Sequence, residues 1–256
     1  MTEPKAQTWH YGLVARWWAE INLDGPEIDW FRPFVEAGQP ALDAACGTGR
    51  LLVPYLKAGL DVDGTDISPD MLARVRERCE REGLAPPNLY AQAIHELDLP
   101  RRYRTIIVCG GFGLGGRREH DAEGLRRLNH HLGPGGRLVI DKELLRGRVM
   151  SRTPWPDSGD RRTLADGDEI ELRNRTAAFD PASQTVTLEI RALLWRDGEV
   201  VAEEEGTLKE TFYSVHEIEL MLASAGFVDI EARGALTERA PTPDDDFVVF
   251  IARKPR

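Results

Sequence analysis

Ten residues limit what this chain can fold into more than any others: Ala41-Leu42-Asp43-Ala44-Ala45-Cys46-Gly47-Thr48-Gly49-Arg50. An apolar run ends in an acidic, glycine-containing turn, and helix-like sequence follows at once. This predicts a strand, a tight loop and a helix start near Arg50. Gly47 and Gly49 lack the Cβ atoms that would hold a ligand off the backbone. A helix start also directs free N–H groups into the same space. A second short strand, residues 61–65, ends at Asp66, 19 positions after Gly47. A β-α-β unit sets a carboxylate against a ribose diol about 20 residues after its glycine turn.

Three ligand classes use such a turn. A dinucleotide wants G-x-G-x-x-G, but its third glycine position holds Leu52, which disfavours NAD or FAD and a dehydrogenase. A P-loop needs Gly-Lys-Ser/Thr, and none is present. The third class is a ligand with a ribose and no pyrophosphate. Here Asp43-x-x-Cys46-Gly47-Thr48-Gly49-Arg50 resembles motif I of the class I S-adenosylmethionine-dependent methyltransferases. The resemblance continues through Asp66-Ile67-Ser68-Pro69-Asp70-Met71-Leu72, similar to the family's acidic ribose-binding turn. It resumes at Leu132-Gly133-Pro134-Gly135-Gly136-Arg137-Leu138, the turn before its fifth strand, and covers most of residues 41–143.

The resemblance implies an α/β, Rossmann-like, seven-stranded sheet, mostly parallel with its last strand antiparallel. It implies S-adenosylmethionine as methyl donor, S-adenosylhomocysteine as product and no metal. Gly47, Gly49 and the helix start would face the methionine part of the donor, with Ala45, Thr48 and Arg50 beside them. Asp43 would order the loop, and Asp66 would take the ribose hydroxyls, flanked by Ile67 and Met71. The family's usual adenine-binding acid aligns with Ala93, so Ile94 or His95 N–H, or Glu96, would serve instead. Cys109 ends the fourth strand at the same cavity. The segment before motif I, with its Tyr-x-x-x-Ala-Arg pattern, resembles the lids of small-molecule methyltransferases and adds Tyr11 and Arg16 to the cofactor or substrate residues.

Along the chain, residues 1–8 are polar. Tyr11 to Glu20 and Asp29 to Ala37 read as amphipathic helices rich in aromatics, and Tyr11 or Trp18 offers a cation–π face to a sulfonium or amine. Ser68 and Pro69 open a further helix as N-cap and first residue. Asn88 to Ile94 is a third strand, and Tyr103 to Cys109 an apolar buried one. The loop Gly110-Gly111-Phe112-Gly113-Leu114-Gly115-Gly116 implies close backbone approach. Phe112 is either presented to a substrate or packed; with Tyr11, it is read as positioning the acceptor. Asp121 to Leu132 is helical, with His130 and His131 at a solvated end. From Asp168 to Phe212 three long alternating runs, with an Asp197-Gly198 hairpin signal, read as an antiparallel insertion. Its position is similar to that of sheets in glycine and amino-sugar N-methyltransferases; it would be a substrate cap or a homodimer interface. Ser214 and Glu217 form a capping box. The expected organisation is a helical lid (1–38), a donor-binding domain (39–145 and 214–256) and the β insertion (146–213).

A net charge of −10 disfavours a nucleic-acid partner. No apolar stretch suits a membrane span and no signal-peptide core is seen. Three cysteines without metal or C-x-x-C spacing suit the cytoplasm. Asp244-Asp245-Asp246 reads as a solvated acidic turn. The expected activity is methylation of a small molecule, at nitrogen ahead of oxygen. An amine acceptor needs only prior proton loss. A phenol or hydroxyl needs a base, for which His10, His95 and His216 are the candidates. The alternatives are an O-methyltransferase of a natural product, a non-catalytic module that binds the donor, and a protein methyltransferase.

Overall fold

The computed structural model describes residues 8–145 and 151–256. The expectations for residues 1–7, and for where the insertion begins at 146–150, lie outside these. The chain opens with α1 (Gly12–Ile21) and α2 (Pro26–Glu36), then alternates β1 (Ala41–Ala44), α3 (Leu52–Lys57), β2 (Val62–Asp66), α4 (Pro69–Arg81), β3 (Leu89–Ala91), β4 (Tyr103–Val108), α5 (Arg118–His131) and β5 (Leu132–Glu143). Four strands follow: β6 (Asp160–Thr163), β7 (Glu169–Asp180), β8 (Thr185–Arg196) and β9 (Glu199–Thr211). The chain closes with α6 (Val215–Ser224), β10 (Val228–Gly234) and β11 (Phe247–Arg253).

One sheet has the order β10-β11-β5-β4-β1-β2-β3. β1 to β5 pair in parallel, and β11 runs antiparallel between β5 and β10. Alternate residues of the central strands supply separate cores on the two faces. Leu42, Ile106 and Leu138 pack with α5 and α6 side chains, whereas Ala41, Ile107 and Val139 pack with Phe31, Leu52 and Val75. That double burial explains the near-continuous apolar reading of β4. The chain leaves β1 for β2 and β3 on one side and returns to β4 on the other. The β1/β4 boundary is therefore the switch point, where a crevice opens beyond the strands' carboxyl ends.

The insertion is a separate antiparallel sheet, β6-β7-β8-β9. Its β8–β9 turn has Asp197 and Gly198 both at positive φ, as a type I′ hairpin requires. β6 is a fourth strand whose exposed, charged Asp160-Arg161-Arg162-Thr163 carries no apolar alternation, so no sequence pattern announces it. α1 packs on this sheet through Leu13 and Val14 against Ile170, Ile190 and Ala192. Its first turn is held from both sides, Gly12 N–H donating to Asp70 Oδ2 and Leu13 N–H to Glu204 Oε2, each at 2.8 Å. Carboxylates suit a helix N-terminus.

Several local expectations hold. Ser68 Oγ accepts from Met71 N–H at 3.2 Å, and both capping-box bonds of Ser214 and Glu217 are present. Others do not. α5 begins at Arg118, three residues early, and β3 is only Leu89–Ala91, followed by a 3-10 turn at Ile94–Glu96. His131 is buried, its Nε2 between Leu97 O and Leu99 N. Asp245 is likewise buried, gripped by Arg239 and Thr242. Among the described residues no helix is long and apolar enough to cross a membrane, and no group of three or more His, Cys, Asp or Glu side chains is placed to hold a metal.

Candidate functional site

A cavity of about 1160 Å³ opens at the carboxyl ends of β1, β2, β3 and β4. It exceeds the volume usual for one drug-sized ligand, roughly 300–1000 Å³, and so has room for two small molecules side by side. Its floor is the turn after β1. Ala45 sits at φ 61° and Gly47 at φ 55°, a left-handed region costly for residues with a Cβ. A Cβ at Gly47 would meet nothing within 4 Å, so that face of the turn is open to a ligand. Gly49 differs. A Cβ there would lie 3.0 Å from Val53 and 3.2 Å from Val75, so this glycine lets α3 and α4 close together and does not line the cavity.

Asp66 ends β2 at the cavity wall. Its Oδ2 accepts from Gly47 N–H at 2.9 Å and its Oδ1 from Ser68 N–H at 2.8 Å. One carboxylate thus sets both glycine turn and α4 start, and each oxygen keeps a lone pair for a hydroxyl. Burial pushes its pKa up, and these two N–H donors oppose the shift. Asp43, beneath the turn, is pushed up to about 7, mainly by burial, with Arg50 opposing. The Leu52 backbone N–H faces it and opposes the shift further. Arg50 lines the same end, bound to Glu27 at 2.6 Å and reaching Cys109 Sγ at 3.5 Å. The Cys109 thiol is pushed far up by burial and by Asp141, so it is a protonated wall and no nucleophile.

Ile67, Met71, Ala93, Ile94 and His95 line the part of the cavity above β2 and β3, with Thr48 and Ala45 nearer β1. On the other side lies the glycine loop. A Cβ at Gly111 would fall 2.5 Å from Ala45 Cβ, and one at Gly113 2.7 Å from Thr211 O. Glycine is therefore what brings this loop against both the β1 turn and the insertion. Gly115 N–H donates to Lys209 O at 2.7 Å, and Thr211 N–H to Gly113 O at 2.8 Å, so the loop runs as an added edge on β9. Beneath it, Lys142 Nζ donates to Glu210 Oε1 at 2.9 Å and to Phe112 O at 3.1 Å. Sequence reasoning missed this pair, because its members lie 68 positions apart with no shared pattern.

Tyr11 lines the cavity at the start of α1, its pKa raised by burial and then by Asp66 and Asp70. Arg16 lies off the cavity, drawn away by Asp166 and Asp168. Its place one turn beyond Tyr11 faces the insertion, which the sequence pattern does not reveal. None of α2 borders the cavity, so of the two N-terminal helices only α1 overhangs it. Phe112 touches the cavity but is 4 % exposed and packs on Tyr213 at 5.7 Å, which makes it core first. His216 is exposed and distant. His10 lines the cavity among Trp9 and Trp18, and burial lowers it to about 4, so its imidazole is neutral near pH 7. His95 stacks on His120 at 3.8 Å.

A family model described as a methyltransferase domain matches residues 41–136. The YqeM protein of Bacillus subtilis, named for a proposed methyltransferase activity, is 23% identical over 242 residues, covering 92% of this chain and 93% of its own. Among solved structures, an S-adenosylmethionine-dependent methyltransferase from Clostridium acetobutylicum superposes with a TM-score of 0.73 at 17% identity, covering 94% of this chain and 98% of its own. The sugar N-methyltransferase KedS8 from Streptoalloteichus also gives 0.73, at 19% identity, covering 100% and 98%. Residues 41–136 thus match a methyltransferase domain model, and the chain as a whole shares the fold of these S-adenosylmethionine-dependent methyltransferase structures.

Proposed function

We propose that this chain transfers a methyl group from S-adenosylmethionine to a small-molecule acceptor, with nitrogen favoured over oxygen. The observation that carries this reading is Asp66: a cavity-lining carboxylate fixed by Gly47 and Ser68 N–H, beside a glycine face open to a ligand. The residues fit the donor. Asp66 would take a ribose diol. Arg50 sets a positive charge at one end, as the carboxylate of an amino-acid tail requires. Ile67, Met71, Ala93 and Ile94 give an apolar slot for adenine, whose amino group would go to backbone at Ile94 or His95 or to Glu96.

The donor supplies a sulfonium, already a good leaving group. The protein's part is to align the acceptor and keep water out. α1 overhangs the cavity with Tyr11 and Trp18, and the glycine loop walls the opposite side. Nitrogen is favoured because His10, lowered to about 4, is a poor store for a proton taken from a hydroxyl. An amine need only bind unprotonated. The structural likeness to a sugar N-methyltransferase supports the same choice. The three cysteines are free thiols, in keeping with a reducing cytoplasm.

Two measurements test the proposal. Calorimetry should show binding of S-adenosylhomocysteine, and label from methyl-labelled donor should pass to amines in a metabolite extract. Binding without transfer to any metabolite favours the non-catalytic module. No binding of donor or product ends both readings.

A further inference from the structure

Resting on that reading, we infer that the acceptor carries an anionic group, a carboxylate or a phosphate, held by Lys209 and Arg117 at the wall of the cavity opposite Asp66. Both residues line the cavity. Within the described residues neither side chain has a hydrogen bond or an ion pair. Several surface arginines among the described residues are also unpaired, but these two face the cavity, in a chain whose 43 acidic residues outnumber its 33 lysines and arginines.

Two acids close to them in the chain are already committed. Glu210, next to Lys209, is bound to Lys142 at 2.9 Å. Asp121, one turn after Arg117, accepts from Tyr213 Oη at 2.6 Å. Glu96 stands beside His95, at 3.8 Å. Two cations facing a cavity that their own protein leaves unneutralised want a counter-charge from the ligand.

The position of Lys209 is built. Its carbonyl accepts from Gly115 N–H at 2.7 Å, and its stem crosses Gly116, where a Cβ would fall 2.6 Å from Lys209 Cβ. Only a glycine at φ 65° permits that crossing. Arg117 follows directly in the chain. The loop that walls the acceptor side therefore carries one cation and positions the other. The sulfonium end of the site, by contrast, is bordered by Asp43 and Asp66.

The test is calorimetric titration of the full chain with inorganic phosphate and, separately, with acetate, each with and without saturating S-adenosylhomocysteine. The variant is Lys209→Gln with Arg117→Gln, and Arg81→Gln, away from the cavity, is the control. Folding of each is checked by circular dichroism. The expected result is saturable binding of one anion by the wild type and the control, weakened at least about ten-fold in the double variant, with affinity for S-adenosylhomocysteine unchanged. The Lys209→Arg variant should retain binding. Phosphate preferred over acetate identifies a phosphorylated acceptor, and the reverse a carboxylate. No saturable binding of either anion, or equal binding by the double variant, overturns the inference. If S-adenosylhomocysteine binds in that experiment, only the anionic acceptor is lost; if it does not, the proposed function goes first.

Discussion

Replacing Glu210 with glutamine should cost the fold several kcal/mol, because it strands a buried cation. The Lys142 and Glu210 side chains are 3% and 7% exposed and 2.9 Å apart. Once the carboxylate is gone, the Lys142 ammonium loses its ion-pair partner and is left with the neutral Phe112 O at 3.1 Å, the face of Phe212 and the more distant charges of Asp121 and Asp141. Removing one partner of a buried pair costs about 3–5 kcal/mol, against about 0–1 for an exposed one. For a chain of this size each kcal/mol lowers Tm by about 2–4 °C, so the expected fall is roughly 6–20 °C. The half-exposed pair Arg161 and Glu169 is the internal control, and Glu169→Gln should shift Tm by no more than about 4 °C. Differential scanning calorimetry near neutral pH reads both variants. A Glu210→Gln chain that melts within about 2 °C of wild type would refute the reasoning, since it would mean that water reaches Lys142.

Other outcomes follow from the same geometry. Asp66→Ala removes the acceptors of the Gly47 and Ser68 N–H groups as well as the proposed ribose contact, and should weaken S-adenosylhomocysteine at least about 100-fold by calorimetry. Gly47→Ala and Gly49→Ala should separate ligand from fold: the first adds a methyl into open cavity and weakens product binding, whereas the second presses on Val53 and Val75 and lowers Tm more. Equal effects on both measurements would contradict the division. Phe112→Ala should lose about 3–5 kcal/mol of stability in urea, as a core ring does. Asp43 holds its proton in the folded chain up to about pH 7 but ionises near pH 4 when unfolded. The folded state thus binds the extra proton between those values. The stability this group contributes is full below about pH 4 and falls as pH rises toward about 7. Asp43→Asn should flatten that part of the Tm–pH curve, and an unchanged slope would mean that Asp43 ionises normally.

The parallel core was legible because its signals are local. An apolar run, a glycine turn and an acid at fixed distance recur wherever a β-α-β unit binds a ribose. Ser68-Pro69, Ser214 with Glu217, and Asp197-Gly198 each mark an element end by chemistry confined to a few residues. What escaped reading depends on partners distant in the chain. His131 sits at a helix end, which suggests water, yet its ring is buried with Nε2 against the Leu97 carbonyl. Arg16 follows a lid-like pattern, yet Asp166 and Asp168, some 150 residues on, draw it outward. Gly49 looks equivalent to Gly47, and only the approach of Val53 and Val75 tells them apart.

The glycine loop after β4 is laced to β9 by two backbone hydrogen bonds, while the donor half of the cavity rests on β1 and β2. On the proposed reading, donor binding and acceptor selectivity rest on separable supports. Substitutions along the inserted sheet would then reshape the acceptor side while the turn at Gly47 stays as it is, so a change of acceptor by directed evolution is best sought between Lys209 and Thr211 rather than near Gly47.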